Sequence, residues 1–220
     1  MFDFKKINID KDRPYWVAFN VFQGIGPQKF LAILRYFSGA RLAWEAREEE
    51  WWKLNLGEKL TRQFLSFRQH FFPEEYFEKL ISGKLGEGEK FGFNNQEQEK
   101  DYFWVKRKGE YLEGENVPVW PLTLADEFYP PLLKEISSPP FLIYVRGRRS
   151  EVFEKKDFFS CPSLGVVGTR RMTAYGRQVT SLLVQDLAEA GLVIVSGLAW
   201  GVDSLAHQTA LRKGGKTIAV

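Results

Sequence analysis

Residues 164–220 read "LGVVGTRRMTAYGRQVTSLLVQDLAEAGLVIVSGLAWGVDSLAHQTALRKGGKTIAV", and the spacing of apolar runs and glycines in this stretch sets the fold. "LGVVG" (164–168) is a short, continuous apolar run, as expected of a strand buried in a parallel sheet. The segment after it places Val179, Leu182, Leu183 and Leu187 on one helical face, with Gly191 as a stop. "LVIVS" (192–196) is a second buried strand. In "VDSLAHQTALRKGG" Asp203 suits an N-cap, Leu205 and Ala206 face inward, and Gly214 ends the helix. "KTIAV" opens a third strand. Strand–helix–strand–helix–strand with short connections predicts a parallel sheet with crossover helices.

Two loops then emerge at the carboxyl ends of neighbouring strands, "GTRRMT" (168–173) and "SGLAWGVD" (196–203). Open α/β sheets bind ligands outside those ends. Both loops carry glycine and run into helix N-termini, where free N–H groups and the helix dipole favour an anion by about 0.3–1 kcal/mol each. Arg170 and Arg171 add positive charge. The candidate phosphate-binding residues are therefore Gly168, Thr169, Arg170, Arg171, Ser196, Gly197 and Gly201. Tyr175, Gly176, Asp203 and His207 are candidate loop supports.

The anion is narrowed by what is missing. No G-x-G-x-x-G follows the first strand, and the second ends in Ser196-Gly197 where a ribose-binding acid belongs. No G-x-x-x-x-G-K-[ST] occurs in the sequence. Ser196, Asp203 and His207 suggest a hydrolytic triad, but capping explains Asp203 and local hydrogen bonding explains His207, one turn later. Cys161 and His70 are too distant in sequence to complete a metal site, so no metal, cofactor or catalytic set is expected.

The rest of the chain separates by texture. Residues 1–81 form an N-terminal helical domain. Its helices are "YWVAFNVF", "GPQKFLAILRYF", "ARLAWEAREEEWW" and "EKLTRQFLSFRQHF", and in the second Phe30, Ile33, Leu34 and Phe37 mark one apolar face, with Ser38-Gly39 as a stop. "GIGPQKF" (24–30) looks like the turn of a helix-hairpin-helix motif, whose amides can face a DNA phosphate. Gly24, Gly26 and Lys29 are its candidate contacts, against the plainer reading of a compact helical connection. Residues 82–116, rich in Gly, Glu, Lys and Asn, read as a linker or insertion with a small hairpin at "YFWVKRKGEYL". From Val117, "VPVWPL" and "FLIYVRG" are strands, separated by a turn, a short helix and a proline stop.

The net charge of +3 permits nucleic acid as a partner without demanding it. One cysteine excludes an internal disulfide and fits a reducing compartment. The N-terminus lacks the apolar core of a signal peptide, and no run approaches the roughly 18 apolar residues needed to cross a bilayer. A cytoplasmic protein is expected, with no membrane partner. Seven tryptophans and an aromatic content of 15% read as core filling. The alternative, a base-stacking platform, needs exposed rings beside cations.

"YPPLLKEISSPPFLIYVRG", "GVVGTRRMTAYG", "IVSGLAWGVDSLAHQTAL" and "GGKTIAV" resemble, in order and spacing, the DNA-processing protein A family (DprA/Smf) across residues 117–220. The helical region 13–81 resembles that family's N-terminal domain more loosely, and 82–116 matches nothing in it. The resemblance implies a Rossmann-like α/β domain, here C-terminally incomplete, preceded by a small all-helical (helix-hairpin-helix or SAM-like) domain. It also implies binding of single-stranded DNA without a cofactor, loading of the RecA recombinase in DNA uptake and recombination, and a homodimer. The family's glycine–serine–arginine loop falls on Gly168-Thr169-Arg170, with threonine keeping the hydroxyl. Lys216 is a weaker phosphate candidate beside Arg171. The alternative class is a nucleotide-hydrolysing Rossmann-like enzyme of the phosphoribohydrolase type, but its second loop is a glycine triplet, unlike "SGLAWGVDSLAH".

Overall fold

A computed structural model describes residues 8–84, 119–146, 159 and 161–220. The expected insertion at 82–116 and its hairpin fall largely outside these residues. Contacts divide the described chain into two units, one of residues 8–84 with 119–146 and 159, the other of residues 161–220.

The described residues of the first unit begin with six helices: α1 (Ile9–Val21), α2 (Pro27–Phe37), α3 (Ala40–Glu45), α4 (Glu48–Lys53), α5 (Glu58–His70) and α6 (Pro73–Ile81). The α2 face is as the periodicity predicts, with Phe30, Ile33 and Leu34 fully buried. The stretch expected as one helix over 40–52 instead breaks at Ala46 and Arg47 into α3 and α4. Arg68 explains the break. Its guanidinium reaches in from α5 and donates to the carbonyls of Trp44 (2.8 Å) and Ala46 (2.7 Å), satisfying backbone that a continuous helix would have used. At the other end of α3 the buried Asp12 carboxylate accepts the Ala40 N–H (3.0 Å), and burial raises its pKa.

Most of the described aromatic rings of this unit are core, with Tyr36, Trp52 and Phe72 left exposed. Trp16, Phe19, Phe30, Trp51 and Phe64 are fully buried, and Phe19 stacks on Phe64 with centroids 5.1 Å apart. Stacked and edge-on ring pairs add to the burial of their large areas.

A two-stranded antiparallel hairpin, β1 (Val119–Thr123) and β2 (Leu142–Arg146), with the short α7 (Pro131–Lys134) in its connection, completes this unit. Sequence texture groups the hairpin with the residues that follow it. Packing puts it with the helices: Leu122, Leu124, Tyr129, Phe141 and Leu142 share their core, and Phe141 stacks on Phe30 at 4.1 Å. Arg13 of α1 fastens it, donating to both Asp126 carboxylate oxygens (2.6 and 2.8 Å) and to the Pro121 carbonyl (3.0 Å).

The second unit is β3 (Ser163–Gly165), α8 (Ala174–Glu189), β4 (Val193–Ser196), α9 (Val202–Arg212) and β5 (Thr217–Ala219). Its sheet is parallel in the order β3-β4-β5, with Leu164 opposite Ile194 and Val195 opposite Ile218. This is the predicted crossover arrangement, with α8 and α9 packed together and against β4. Two expectations are corrected. β3 is an exposed edge strand rather than a buried one, because β4 takes the centre with Ile194 fully buried. The buried face of α8 is Val184 and Ala188, while Leu182 and Leu183 stay exposed. Small residues set that rotation: a Cβ on Gly215 would lie 2.9 Å from the Ala188 Cβ, a close approach that leucines would block.

Candidate nucleic-acid interface

The loops after β3 and β4 cross each other, and two bare α-carbons let them. A Cβ on Gly168 would sit 2.6 Å from Val202 Cγ2. A Cβ on Gly201 would sit 2.2 Å from the Thr169 carbonyl oxygen and 2.7 Å from that of Arg170, and Gly201 has φ +90° besides. The Val202 N–H donates to the Thr169 carbonyl (3.2 Å), tying the start of α9 to the first loop. Within that loop the Arg171 N–H donates to Thr169 Oγ1 (3.2 Å), closing a tight turn.

The turn carries Arg170 and Arg171 outward. Both are exposed, and neither guanidinium has a hydrogen-bond or ion-pair partner among the described residues. α8 begins three residues after Arg171. Its N-cap is Thr173, whose hydroxyl accepts the Gly176 N–H (3.0 Å). Among the described residues the Ala174 and Tyr175 N–H groups in the first turn, at the positive end of the helix, have no hydrogen-bond partner. Uncommitted cations and open amides thus meet on one exposed loop.

The second loop is built differently. Its helix is capped by Gly201, which corrects the N-cap reading of Asp203. Asp203 lies inside the first turn, 7% exposed, with Oδ2 3.1 Å from where a Gly197 Cβ would be. The α9 N-terminus therefore holds its own carboxylate and spends its Val202 N–H on the first loop, so the anion-attracting end is that of α8. Ser196 is buried, and its hydroxyl donates to the Val166 carbonyl (2.7 Å), strapping the strands together.

His207 is 2% exposed. The Thr217 hydroxyl donates to the Ile194 carbonyl (2.7 Å), so its oxygen accepts from His207 Nδ1 (2.6 Å). That assigns the ring proton to Nδ1 and leaves Nε2 buried and without a partner. Burial lowers the His207 pKa, against the opposing pull of Asp203 and the Ser196 backbone. With Ser196 bonded to Val166 and His207 to Thr217, the three residues do not form the hydrogen-bond chain of a triad.

Lys216 is placed elsewhere. It precedes β5, so it lies at the amino end of the parallel strands, about 10 Å of strand from the loops. Tyr175 is 75% exposed and packs under neither loop. In the other unit, Gly24 (φ +111°) and the N-cap Gly26 form the α1–α2 turn, and Lys29 Nζ folds back onto the Gly24 carbonyl (3.1 Å). Sequence reasoning passed over Thr173, Val202, Thr217 and Trp200. The legible signals were a threonine immediately before an apolar helix and a tryptophan inside a glycine loop.

A Rossmann-like parallel unit with a cationic loop, following a helical unit in the chain, is the class these features define. Residues 120–220 match the family described as DNA recombination-mediator protein A. Protein Smf of Synechocystis sp. is 32% identical over 211 residues, covering 96% of this chain and 44% of that protein. DNA processing protein DprA of Streptococcus pneumoniae is 41% identical over 98 residues, covering 44% of this chain and 32% of that protein. The X-ray structure of DprA from S. pneumoniae superposes with a TM-score of 0.59 at 24% identity, over 94% of this chain and 56% of that one, which is a likeness of fold. Residues 120–220 belong to the DprA/Smf family. The chain spans less than half the length of these curated relatives. Among the described residues no helix is long and apolar enough to cross a membrane.

Proposed function

We propose that the chain binds single-stranded DNA through its backbone phosphates and serves DNA processing in transformation and recombination. The observation that carries the reading is the pair of uncommitted guanidiniums, Arg170 and Arg171, beside the open first turn of α8. Arg170 grips a phosphate, Arg171 adds charge, and the Ala174 and Tyr175 amides face the same anion. Gly168, Thr169 and Gly201 shape the loop, while Ser196, Gly197, Asp203 and His207 support it from below. Such a site tracks a backbone without reading bases. The names of the relatives, DNA processing protein DprA among them, agree with this reading. On the family resemblance we add RecA recombinase as the protein partner and a homodimer as the working form.

The test is fluorescence anisotropy with labelled single-stranded and duplex oligonucleotides over a salt series, for the wild type and Arg170→Ala. Expected are a preference for the single strand, at least tenfold weaker binding by the variant, and a salt slope smaller by about 0.7, the value for one phosphate contact. Unchanged affinity and slope overturn the assignment of Arg170. Release of free base from a nucleoside monophosphate, with no DNA binding, moves the site to the phosphoribohydrolase class.

A further inference from the structure

Trp200 is 52% exposed, and among the described residues it has no ring, cation or hydrogen-bond partner. The other described tryptophans are placed otherwise. Trp16 and Trp51 are fully buried, and Trp52, at 42%, lies under the Arg62 guanidinium. Leaving so large a ring half in water forfeits the apolar burial its size offers.

Its position is fixed by the loop crossing. Trp200 immediately precedes Gly201, whose α-carbon abuts the Thr169 and Arg170 carbonyls, so the indole and the Arg170 side chain leave adjoining backbone. The backbone on both sides is held. The Ser204 N–H donates to the Ala199 carbonyl (3.0 Å) and the Val202 N–H to the Thr169 carbonyl (3.2 Å). Leu198 sits at φ +57°, a left-handed conformation that a leucine adopts only under constraint. Trp200 thus sits in a held loop, with its ring half in solvent and its neighbour Gly201 against the backbone of Arg170. A ring beside cations is what recognition of single-stranded nucleic acid requires, because every base has a π-face and every nucleotide a phosphate.

We propose that Trp200 is the stacking platform for a nucleobase of the strand whose phosphate Arg170 holds. This rests on the DNA reading above and adds to it a contact that sees bases without discriminating among them. In the aromatic-rich helical unit core filling, the expected reading, accounts for most of the described rings, and the exposed Trp52 already lies under Arg62.

The test compares a thymidine oligonucleotide with an abasic strand of the same backbone, by anisotropy, for the wild type, Trp200→Ala, Trp200→Phe and Arg170→Ala, with thermal melts confirming the fold. Trp200→Ala is expected to bind the base-bearing strand roughly tenfold more weakly, with abasic binding and salt slope unchanged. Trp200→Phe retains most of the affinity and keeps the test valid if the alanine variant is unstable. Arg170→Ala weakens both strands and lowers the slope. Equal losses on both strands, or no loss, for both Trp200 variants overturn the stacking and leave the phosphate reading in place. No binding of either strand by folded wild type overturns the DNA reading and the stacking with it.

Discussion

The bare α-carbon of Gly168 packs against the side chain of Val202, so that a methyl group at 168 would sit 2.6 Å from Val202 Cγ2 and 2.8 Å from its Cβ. The first loop can thereby lie directly on the start of α9. Gly168→Ala forces the two apart and is expected to cost about 1–3 kcal/mol, the usual range for overpacking. Val202→Ala in the same chain recovers part of the loss only, because the Val202 Cβ stays in place. Urea denaturation of the two variants checks this; no recovery by Val202→Ala would mean that the clash lies elsewhere, and full recovery that the Val202 γ-methyls carry all of it.

Gly201 is the less replaceable of the two glycines. Its φ of +90° disfavours any side chain, and the obstructing atoms are backbone carbonyls that cannot rotate away. Gly201→Ala is expected to destabilise more than Gly168→Ala and to abolish binding at the loop, because the Thr169–Arg170 peptide must move. A melt of Gly201→Ala no lower than that of Gly168→Ala contradicts the crossing as described.

What was legible in the sequence followed from strong local physics. The alternation of apolar runs with Gly191 and Gly214 placed β4, α8, α9 and β5, and the arginines after Gly168 marked the anion loop. Long-range packing decided the rest. The α8 face turned on Ala188 meeting Gly215, which no periodicity reports. The break between α3 and α4 depended on Arg68, more than 20 residues away. Asp203 looked like a cap because it precedes an apolar helix, yet Gly201 could take the capping conformation two residues earlier and send the carboxylate inside. Lys216 drew attention by charge, and only the strand direction puts it at the wrong end of the sheet.

Arg13 and Asp126 hold the hairpin to the helical unit as a largely buried pair, their side chains 17% and 10% exposed. Asp126 also accepts from the Thr123 amide (2.6 Å) and hydroxyl (2.8 Å), so removing it strands several donors. Asp126→Ala is expected to cost about 3 kcal/mol or more, the range for breaking a buried pair from one side. Replacing Arg13 by Met as well relieves part of that loss by removing the orphaned charge. A double-mutant cycle in guanidinium chloride reads the coupling; additive losses would mean that the pair contributes through packing alone.

His207 makes the stability of the second unit depend on pH. Burial lowers its folded pKa below the 6.5 of an unfolded histidine. Between those two values the unfolded chain binds more protons than the native one, so stability is complete above about pH 6.5 and declines as the pH falls toward the folded value. The decline is limited to about 1.4 kcal/mol per pH unit for one group. Protonation would put a second proton on the buried, unpartnered Nε2 while Nδ1 stays on Thr217. Asp203, one turn earlier, offsets part of that penalty and keeps the decline shallower than burial alone would make it. His207→Asn retains a donor for Thr217 and does not titrate. Thermal melts from pH 7.5 to 5.5 are expected to fall for the wild type and to stay nearly level for His207→Asn, and parallel curves would place the acid sensitivity in another group.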